Sequence, residues 1–171
     1  MKHLRYLFLL ACLLPLFSGC GYKINYSLSG ASIPAEAKTF SVAYFPNNAA
    51  MVAPILSSTL TEALQDKFSR QTRLQQVNEA GDFAFEGEIV NYMSTTASVS
   101  SDDIAQQNRL TITIKVRFTN AIDAAASFNR SFSAFADYPT STMLTEAEGQ
   151  LIPEIVDQLA TDVFQAAAAN W

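Results

Sequence analysis

The chain lacks an apolar run long enough to cross a membrane. Its one long uncharged apolar run, residues 6–17, holds about a dozen residues, whereas a spanning helix needs about 20. Lys2 and Arg5 precede the run, and the small residues Ser18 and Gly19 close it. This pattern is typical of a secretory signal sequence, so the segment is expected to direct export and then to be removed.

Histidine and cysteine are almost absent from the rest of the chain. His3 and Cys12 lie in the signal segment, so the exported chain keeps no histidine and only Cys20. Nucleophiles that need a histidine base are excluded, as are zinc sites built from imidazole or thiolate. Two acidic pairs lack the ligand spacing of a calcium loop and are interpreted as solvated charge: Asp102 with Asp103, and Glu146 with Glu148. We predict no enzyme activity, no metal site and no cofactor.

Positive charge is also scarce. Without residues 1–19 the chain carries 9 Lys and Arg against 16 Asp and Glu, a net charge of −7, and so acidic a domain is unsuited to nucleic acid. Only 16% of all residues are charged, compared with about 25% in typical globular domains. The surface is therefore expected to be polar but largely uncharged.

The residues around Cys20 resemble a bacterial lipobox. The residues before it are Leu16, Phe17, Ser18 and Gly19. In proteins with this motif the cysteine thiol takes a diacylglyceryl group, the chain is cut before it, and the new amino terminus is acylated. Several acyl chains hold a protein on a membrane essentially permanently. The residue after the cysteine is Gly21 and not an acidic residue, which is similar to the pattern of lipoproteins sorted to the outer membrane. The lack of an acidic run after Cys20 favours a periplasm-facing position.

Residues 20–38 are expected to form a lipidated tether. They are rich in glycine and serine and show little periodicity. Fully extended at about 3.3 Å per residue, the segment reaches roughly 60 Å, enough to lift a domain clear of a lipid surface. Tyr22, Ile24 and Tyr26 alternate with polar neighbours, so pairing as an edge strand is the alternative.

The next part of the chain predicts a strand, a helix and a second strand. Phe40, Val42 and Tyr44 share one side of a period-two pattern that Pro46 ends. An amphipathic helix of about five turns follows, with its apolar stripe formed by Val52, Ile55, Leu56, Leu60, Ala63, Leu64 and Phe68. A short apolar run, residues 74–77, then completes a candidate right-handed crossover with parallel strands.

Three longer strands are predicted in the second half. The first holds Phe83, Phe85 and Ile89, with Gly87 on the apolar side where it admits a bulky neighbour from the helix layer. Residues 110–118 alternate without a break. The polar segment 94–107 between them is interpreted as two strand extensions and a mobile loop near Ser101. In the third run, residues 128–138, Phe135 lies opposite the other apolar residues, which predicts a bulge or burial on both sides.

A helix closes the chain. Thr145 and Glu148 have the spacing of a capping box, but Pro153 is disfavoured in a helix interior. We expect a preliminary turn after Thr145 and a main helix from about Ile152. The fold predicted is α+β: a two-layer sandwich in which two helices pack on one face of a mostly antiparallel sheet of about five strands, in the order βαβββα.

The sequence resembles the LptE family of lipopolysaccharide-assembly lipoproteins. The resemblance rests on the lipobox, the Gly21-Tyr22-Lys23 start, residues 30–33, 83–89, 108–120 and 131–137, and the Asn170-Trp171 ending. It implies an outer-membrane, lipid-anchored, non-enzymatic partner of the β-barrel translocon LptD, lodged partly inside that barrel. Such a partner helps the barrel to assemble and to pass lipopolysaccharide to the outer leaflet. The expected organisation is a signal peptide at 1–19, a lipidated tether at 20–38 and an LptE-like domain at 39–171.

The sheet face opposite the helices is the candidate binding surface, together with the loops around Asp102 and residues 120–126. Its basic residues Arg109, Lys115 and Arg117 suit lipopolysaccharide phosphates or the partner. The alternative for two of them is ion pairing, because a hairpin centred between residues 101 and 102 places two glutamates opposite: Glu86 faces Arg117, and Glu88 faces Lys115.

Two other functions remain open at this point. One is a periplasm-facing, lipid-anchored carrier of a lipid or small ligand, which would use a cleft between helices and sheet. The other is a purely structural envelope lipoprotein. Trp171 is interpreted as a cap on the core or as an anchor for a partner.

Overall fold

The computed structural model describes residues 33–98 and 107–168. The predicted signal peptide, Cys20, most of the tether, the loop near Ser101 and Trp171 lie outside the described residues. Elements occur in the order β1 (Thr39–Val42), α1 (Leu56–Gln71), β2 (Gln75–Gln76), β3 (Phe83–Ser98), β4 (Gln107–Asn120), a 3₁₀ turn (Ala124–Ala126), β5 (Phe128–Pro139) and α2 (Leu144–Ala168).

The strands form one mixed five-stranded sheet in the order β2-β1-β3-β4-β5. Strand β1 is parallel to β2 and to β3, whereas β3, β4 and β5 form an antiparallel meander. The α+β prediction is confirmed, with one more strand in the chain order than βαβββα. The crossover from β1 through α1 to β2 is parallel, as expected for a βαβ unit.

The register of β3 with β4 is the predicted one over the first half of the hairpin. Glu86 lies opposite Arg117, and Glu88 lies opposite Lys115. A β-bulge then follows, because Val90 has no partner and Asn91 pairs with Thr113. The extra residue reverses the alternation of β3, so that even-numbered residues face the core beyond it.

The end of β1 differs from the prediction. Tyr44 was placed on the core side of the strand, but its side chain is exposed, and Phe45 is fully buried instead. The prediction that Gly87 admits a bulky neighbour is confirmed, because a Cβ there would lie 2.5 Å from the Phe45 ring. The neighbour comes from the loop after β1 and not from a helix.

Helix α1 begins later than its apolar periodicity predicts. Val52 and Ile55 were assigned to the buried stripe, but both are exposed and precede the helix. The residue before a proline is disfavoured in the helical region, so Pro54 keeps Ala53 out of a helix. Leu56, Leu60, Leu64 and Phe68 are buried as predicted.

Helix α2 is continuous from Leu144 to Ala168, with Pro153 inside it. The expected break near Ile152 is therefore wrong. A proline at this position removes the hydrogen bond to the carbonyl of Gly149, and because both residues are exposed, water can solvate that carbonyl. Thr145 lies within the helix and Glu148 accepts a hydrogen bond from Tyr92 Oη at 2.6 Å, so the predicted capping box does not form.

Aromatic rings fill the space between the helices and the sheet. The ring of Phe68 on α1 lies 4.4 Å from that of Phe85 and 5.2 Å from that of Phe164, centroid to centroid. Such aromatic pairs contribute about 0.5–1.5 kcal/mol beyond the burial of their area. The packed core leaves the opposite side of the sheet free of helices.

Candidate functional site: the open face of the sheet

The sheet face opposite the helices, here called the open face, is formed by β3, β4 and β5. Cross-strand pairing arranges its residues in rows, and five consecutive rows span residues 109–117 of β4. From one end to the other, these rows are Glu86-Arg117-Asn129, Glu88-Lys115-Ser131, Asn91-Thr113-Ser133, Met93-Thr111-Phe135 and Thr95-Arg109-Asp137.

The first two rows carry loosely arranged charges. Arg117 Nη1 lies 4.0 Å from Glu86 Oε2, and both side chains are about two-thirds exposed, so the pair contributes little to stability. Glu88 Oε2 accepts a hydrogen bond from Asn48 Nδ2 at 2.7 Å. Lys115 therefore faces Glu88 in register, as predicted, but forms no ion pair with any residue that the structure describes.

An open cavity of about 300 Å³ lies over these two rows. It is lined by Pro46, Glu86, Gly87, Glu88, Lys115, Arg117 and Asn129. The ammonium of Lys115 is the cation in this lining without an ion-pair partner among the described residues. The cavity therefore combines a solvated cation with carboxylates that are already hydrogen-bonded or weakly paired.

The middle of the open face is uncharged. Thr113 and Ser133 lie opposite each other, and their hydroxyl oxygens are 3.0 Å apart, at hydrogen-bond distance. Asn91 completes the row across the bulge of β3. These short hydroxyl and amide groups both donate and accept hydrogen bonds, so they can bind another polar surface without desolvating a charge.

The far end combines an ion pair with exposed apolar side chains. Arg109 donates two hydrogen bonds to Asp137, at 2.7 and 2.9 Å, and its guanidinium lies 3.7 Å from the centroid of the Phe135 ring. The pKa of Asp137 is lowered chiefly by its hydrogen bonds from Arg109. Phe135 and Met93 are both about half exposed.

The structure places Arg109, Lys115 and Arg117 on one face but not at one site. At about 3.4 Å per residue along β4, Lys115 lies roughly 20 Å from Arg109 and roughly 7 Å from Arg117. Arg109 is held by Asp137 and Phe135, whereas Lys115 and Arg117 lie together at the cavity. The three residues therefore cannot bind one phosphate group.

Two features of the sheet were not predicted. Strand β5 pairs with β4 in unbroken register, so Phe135 causes neither a bulge nor burial on both sides; its ring lies exposed on the open face. The sequence did contain a signal for this exposure, because Phe135 is out of phase with the other apolar residues of the strand. The second feature is a polar cluster at the other side of the sheet, where Tyr92 bonds Glu148 and Ser94 bonds Tyr138. Burial raises the pKa of Tyr92, and its hydrogen bond to Glu148 raises it further.

Within residues 33–98 and 107–168, no group of three or more His, Cys, Asp or Glu side chains is placed to hold a metal ion. Neither of the two helices is long and apolar enough to span a membrane.

The profile of the LptE family, described as lipopolysaccharide-assembly, matches residues 37–167. No curated protein matches the chain at a significant level.

Solved structures share the fold at low sequence identity. A lipoprotein B from Nitrosomonas europaea has a TM-score of 0.54 and 15% identity, covering 86% of this chain and 90% of that one. The protein CT253 from Chlamydia trachomatis has a TM-score of 0.55 and 8% identity, covering 78% and 99%. A minor lipoprotein from Acinetobacter baumannii has a TM-score of 0.50 and 15% identity, covering 75% and 91%.

Proposed function

This chain belongs to the LptE lipopolysaccharide-assembly family, and we propose that it is the lipid-anchored partner of an LptD-type β-barrel in the outer membrane. In this proposal Cys20 carries the acyl chains and the domain faces the periplasm. The domain lies partly inside the barrel, where it assists barrel assembly and the passage of lipopolysaccharide to the outer leaflet. It acts by binding and not by catalysis.

The observation that carries the proposal is the chemistry of the open face. The interiors of outer-membrane barrels are lined by polar side chains. The Asn91-Thr113-Ser133 row offers hydroxyl and amide groups to such a wall. Burying a charge in an interface costs several kcal/mol unless it is paired, and the central rows of the open face carry none.

Contact with lipopolysaccharide is a second part of the proposal. Among Arg109, Lys115 and Arg117, only Lys115 lacks an ion-pair partner in the described part of the chain. A lysine ammonium binds a phosphate as a point charge, and Arg117 beside it adds a second donor group. We therefore assign phosphate contact to Lys115 and Arg117. Arg109 is assigned a different role, which is to position the ring of Phe135.

A reversal of charge separates these roles. Lys115→Glu should weaken lipopolysaccharide binding by the purified protein, because it replaces the unpaired cation with an anion. The matched control is Asn129→Glu, which adds a carboxylate to the same cavity and leaves Lys115 in place. Equal binding by Lys115→Glu and the wild type would remove the phosphate assignment.

Site-specific photo-crosslinking tests the barrel contact. A crosslinker at Thr113 or Ser133 on the open face should capture the barrel in cells. Crosslinkers at Glu154 and Gln158, on the exposed side of α2, are the controls. Crosslinks to the barrel that occur only from the helix would contradict the proposed orientation.

The packing of the core bears on the alternative of a ligand carrier. A carrier needs space between the helices and the sheet, but Leu60, Leu64, Phe68, Ile155 and Leu159 fill that interface and are essentially inaccessible to solvent. The cavity of about 300 Å³ lies instead on the open face. Among the described residues, the packing between helices and sheet therefore gives no support to a carrier that uses a cleft there.

A further inference from the structure

The loop between β1 and α1, residues 43–55, lies in the longest stretch of the chain without a charged residue. No Asp, Glu, Lys or Arg occurs over the 23 residues from Thr39 to Thr61. We name this loop the neutral loop. Its lack of charge is notable because it presents four large apolar side chains to solvent.

The neutral loop buries its small residues and exposes its large ones. Ala49 and Ala53 pack into the core, whereas Val52 is 65% exposed and Tyr44 is 64% exposed. Nine large hydrophobic residues are exposed in the described part of the chain, and four of them lie in this loop: Tyr44, Met51, Val52 and Ile55. Such a concentration of exposed apolar side chains in one short segment is typical of an interaction surface.

The first half of the neutral loop is held in place by internal hydrogen bonds. The N–H of Asn48 donates to the Ile89 carbonyl at 2.9 Å, and the Pro46 carbonyl accepts from the N–H of Ile89 at 2.9 Å. The N–H of Ala49 donates to Asn47 Oδ1 at 3.0 Å. These bonds hold the first half of the loop against β3.

The loop also lies within reach of a membrane anchor at Cys20. The described chain begins at Ile33, near the end of α1, where Arg73 Nη2 donates to the Pro34 carbonyl at 2.7 Å. The neutral loop precedes the other end of α1, a 16-residue helix about 24 Å long. The 13 residues from Cys20 to Ile33 span up to about 43 Å when extended.

We propose that the neutral loop inserts its exposed side chains into the hydrocarbon boundary of a lipid bilayer. The partner is uncharged lipid, because the loop has no charge with which to select anionic headgroups. Tyrosine suits this position, since it has an apolar ring and a polar tip. The inference rests on the proposed acylation of Cys20 but not on binding to a barrel, because the exposed side chains at positions 51, 52 and 55 do not line the cavity of the open face.

Tryptophan fluorescence on neutral vesicles tests the proposal. The chain from residue 20 onward is coupled through Cys20, its only cysteine, to a maleimide phospholipid in phosphatidylcholine vesicles with or without brominated acyl chains. Trp171→Phe removes the native tryptophan, and Val52→Trp reports on the loop. Ile122→Trp is the matched control, because Ile122 is also exposed, at 41%, and lies after β4 at the opposite end of β1.

We expect the tryptophan at position 52 to show a blue-shifted emission and quenching by the bromines, and the tryptophan at 122 to show neither. Replacing Met51 and Ile55 by serine should abolish the quenching at 52 while the far-ultraviolet circular dichroism stays unchanged. Absence of quenching at 52, or equal quenching at 52 and 122, would overturn the proposal. No barrel is present in this assay, so its result is independent of the proposed partner.

Discussion

Phe45 links the parts of the molecule that hold the open face in place. Its ring lies on the backbone at Gly87 of β3, and its N–H donates to Thr61 Oγ1 of α1 at 3.2 Å. The aromatic residue thus joins the end of β1, the central strand and the helix layer. A glycine is needed in β3 because any side chain at that position would occupy the volume of the ring.

Gly87→Ala should destabilise the fold by about 1–3 kcal/mol, the range typical of overpacked cores. The new Cβ would meet both the Phe45 ring and the Lys115 carbonyl. Urea unfolding provides the measurement. Gly149→Ala is the control, because nothing lies within 4 Å of that position and alanine favours a helix by up to about 1 kcal/mol. Similar losses in the two variants would contradict the steric argument.

Asp82 fixes the start of β1 to the start of β3. Its carboxylate accepts the backbone N–H groups of Lys38 and Thr39, at 2.8 and 3.0 Å, and the Thr39 hydroxyl at 3.0 Å. These bonds, the one from Lys38 first, lower the pKa of Asp82 below its ordinary value of 3.8. A pKa that is lower in the folded state contributes stability above the unfolded pKa and loses it as the pH falls through the folded pKa.

The free energy of unfolding of the wild type should therefore decrease from about pH 4 downward. Asp82→Asn has no carboxylate to protonate at this site, so its stability should fall less over the same interval and the two curves should converge at low pH. Denaturant unfolding between pH 2 and pH 6 measures this difference. Parallel curves for the two proteins would show that Asp82 does not contribute to the acid response.

Among the elements, β3 contains a bulge at Val90 that shifts its core-facing positions from odd to even residue numbers. Below it Ile89 is buried, and above it Tyr92 takes the buried side and reaches Glu148. Removing Val90 would leave the pairs Ile89 with Ile114 and Asn91 with Thr113 next to each other on their present faces. The bulge therefore adds a residue without being required for the register.

Deletion of Val90 should accordingly give a folded protein whose Tm is close to that of the wild type. Deletion of Thr113 in β4 should not, because it moves Ile112 and Leu110 from the core to the open face. Thermal unfolding followed by circular dichroism compares the two deletions. A folded Thr113 deletion beside an unfolded Val90 deletion would refute this account of the register.

Helix α2 contains a stability defect at Pro153. Pro153→Ala restores the hydrogen bond to the Gly149 carbonyl and removes the clash of the ring, and the exposed site contributes no core packing. The substitution should raise the free energy of unfolding by up to about 3 kcal/mol. Urea unfolding measures the gain, and a loss of stability would mean that the proline is required for the packing of α2.

Elements with a local signal were predictable from the sequence, whereas those set by distant contacts were not. The unbroken alternation of β4 predicted its buried and open faces, because period two is a property of the strand itself. The ion pair expected between Glu88 and Lys115 does not form. The carboxylate of Glu88 instead accepts a hydrogen bond from Asn48, which lies in a loop 40 residues away. The bulge at Val90 places Tyr92 on the side of the sheet that α2 covers, and the bond of Tyr92 to Glu148 is a distant contact that no local pattern indicates. Pro54 was a local signal for the start of α1, but the apolar periodicity across it pointed the other way.

In the molecule as a whole, the two sides of the sheet differ in what covers them. The helices and the buried side of the sheet form a packed core, and the open face presents a broad polar surface with exposed apolar side chains at one end. The neutral loop exposes further apolar side chains before α1. The proposed barrel contact uses the open face, and the proposed lipid contact uses the neutral loop.

The most direct test of the proposed function is purification of the lipidated protein from detergent-solubilised membranes. Three proteins are compared: the wild type, an open-face variant with Thr113→Glu and Ser133→Glu, and a helix variant with Gln158→Glu and Gln165→Glu at exposed positions of α2. We predict that a β-barrel protein purifies in stoichiometric amount with the wild type and the helix variant, and that it is lost from the open-face variant, because two buried unpaired carboxylates disfavour the interface. Absence of a barrel from the wild-type preparation, or its loss from the helix variant alone, would contradict the account.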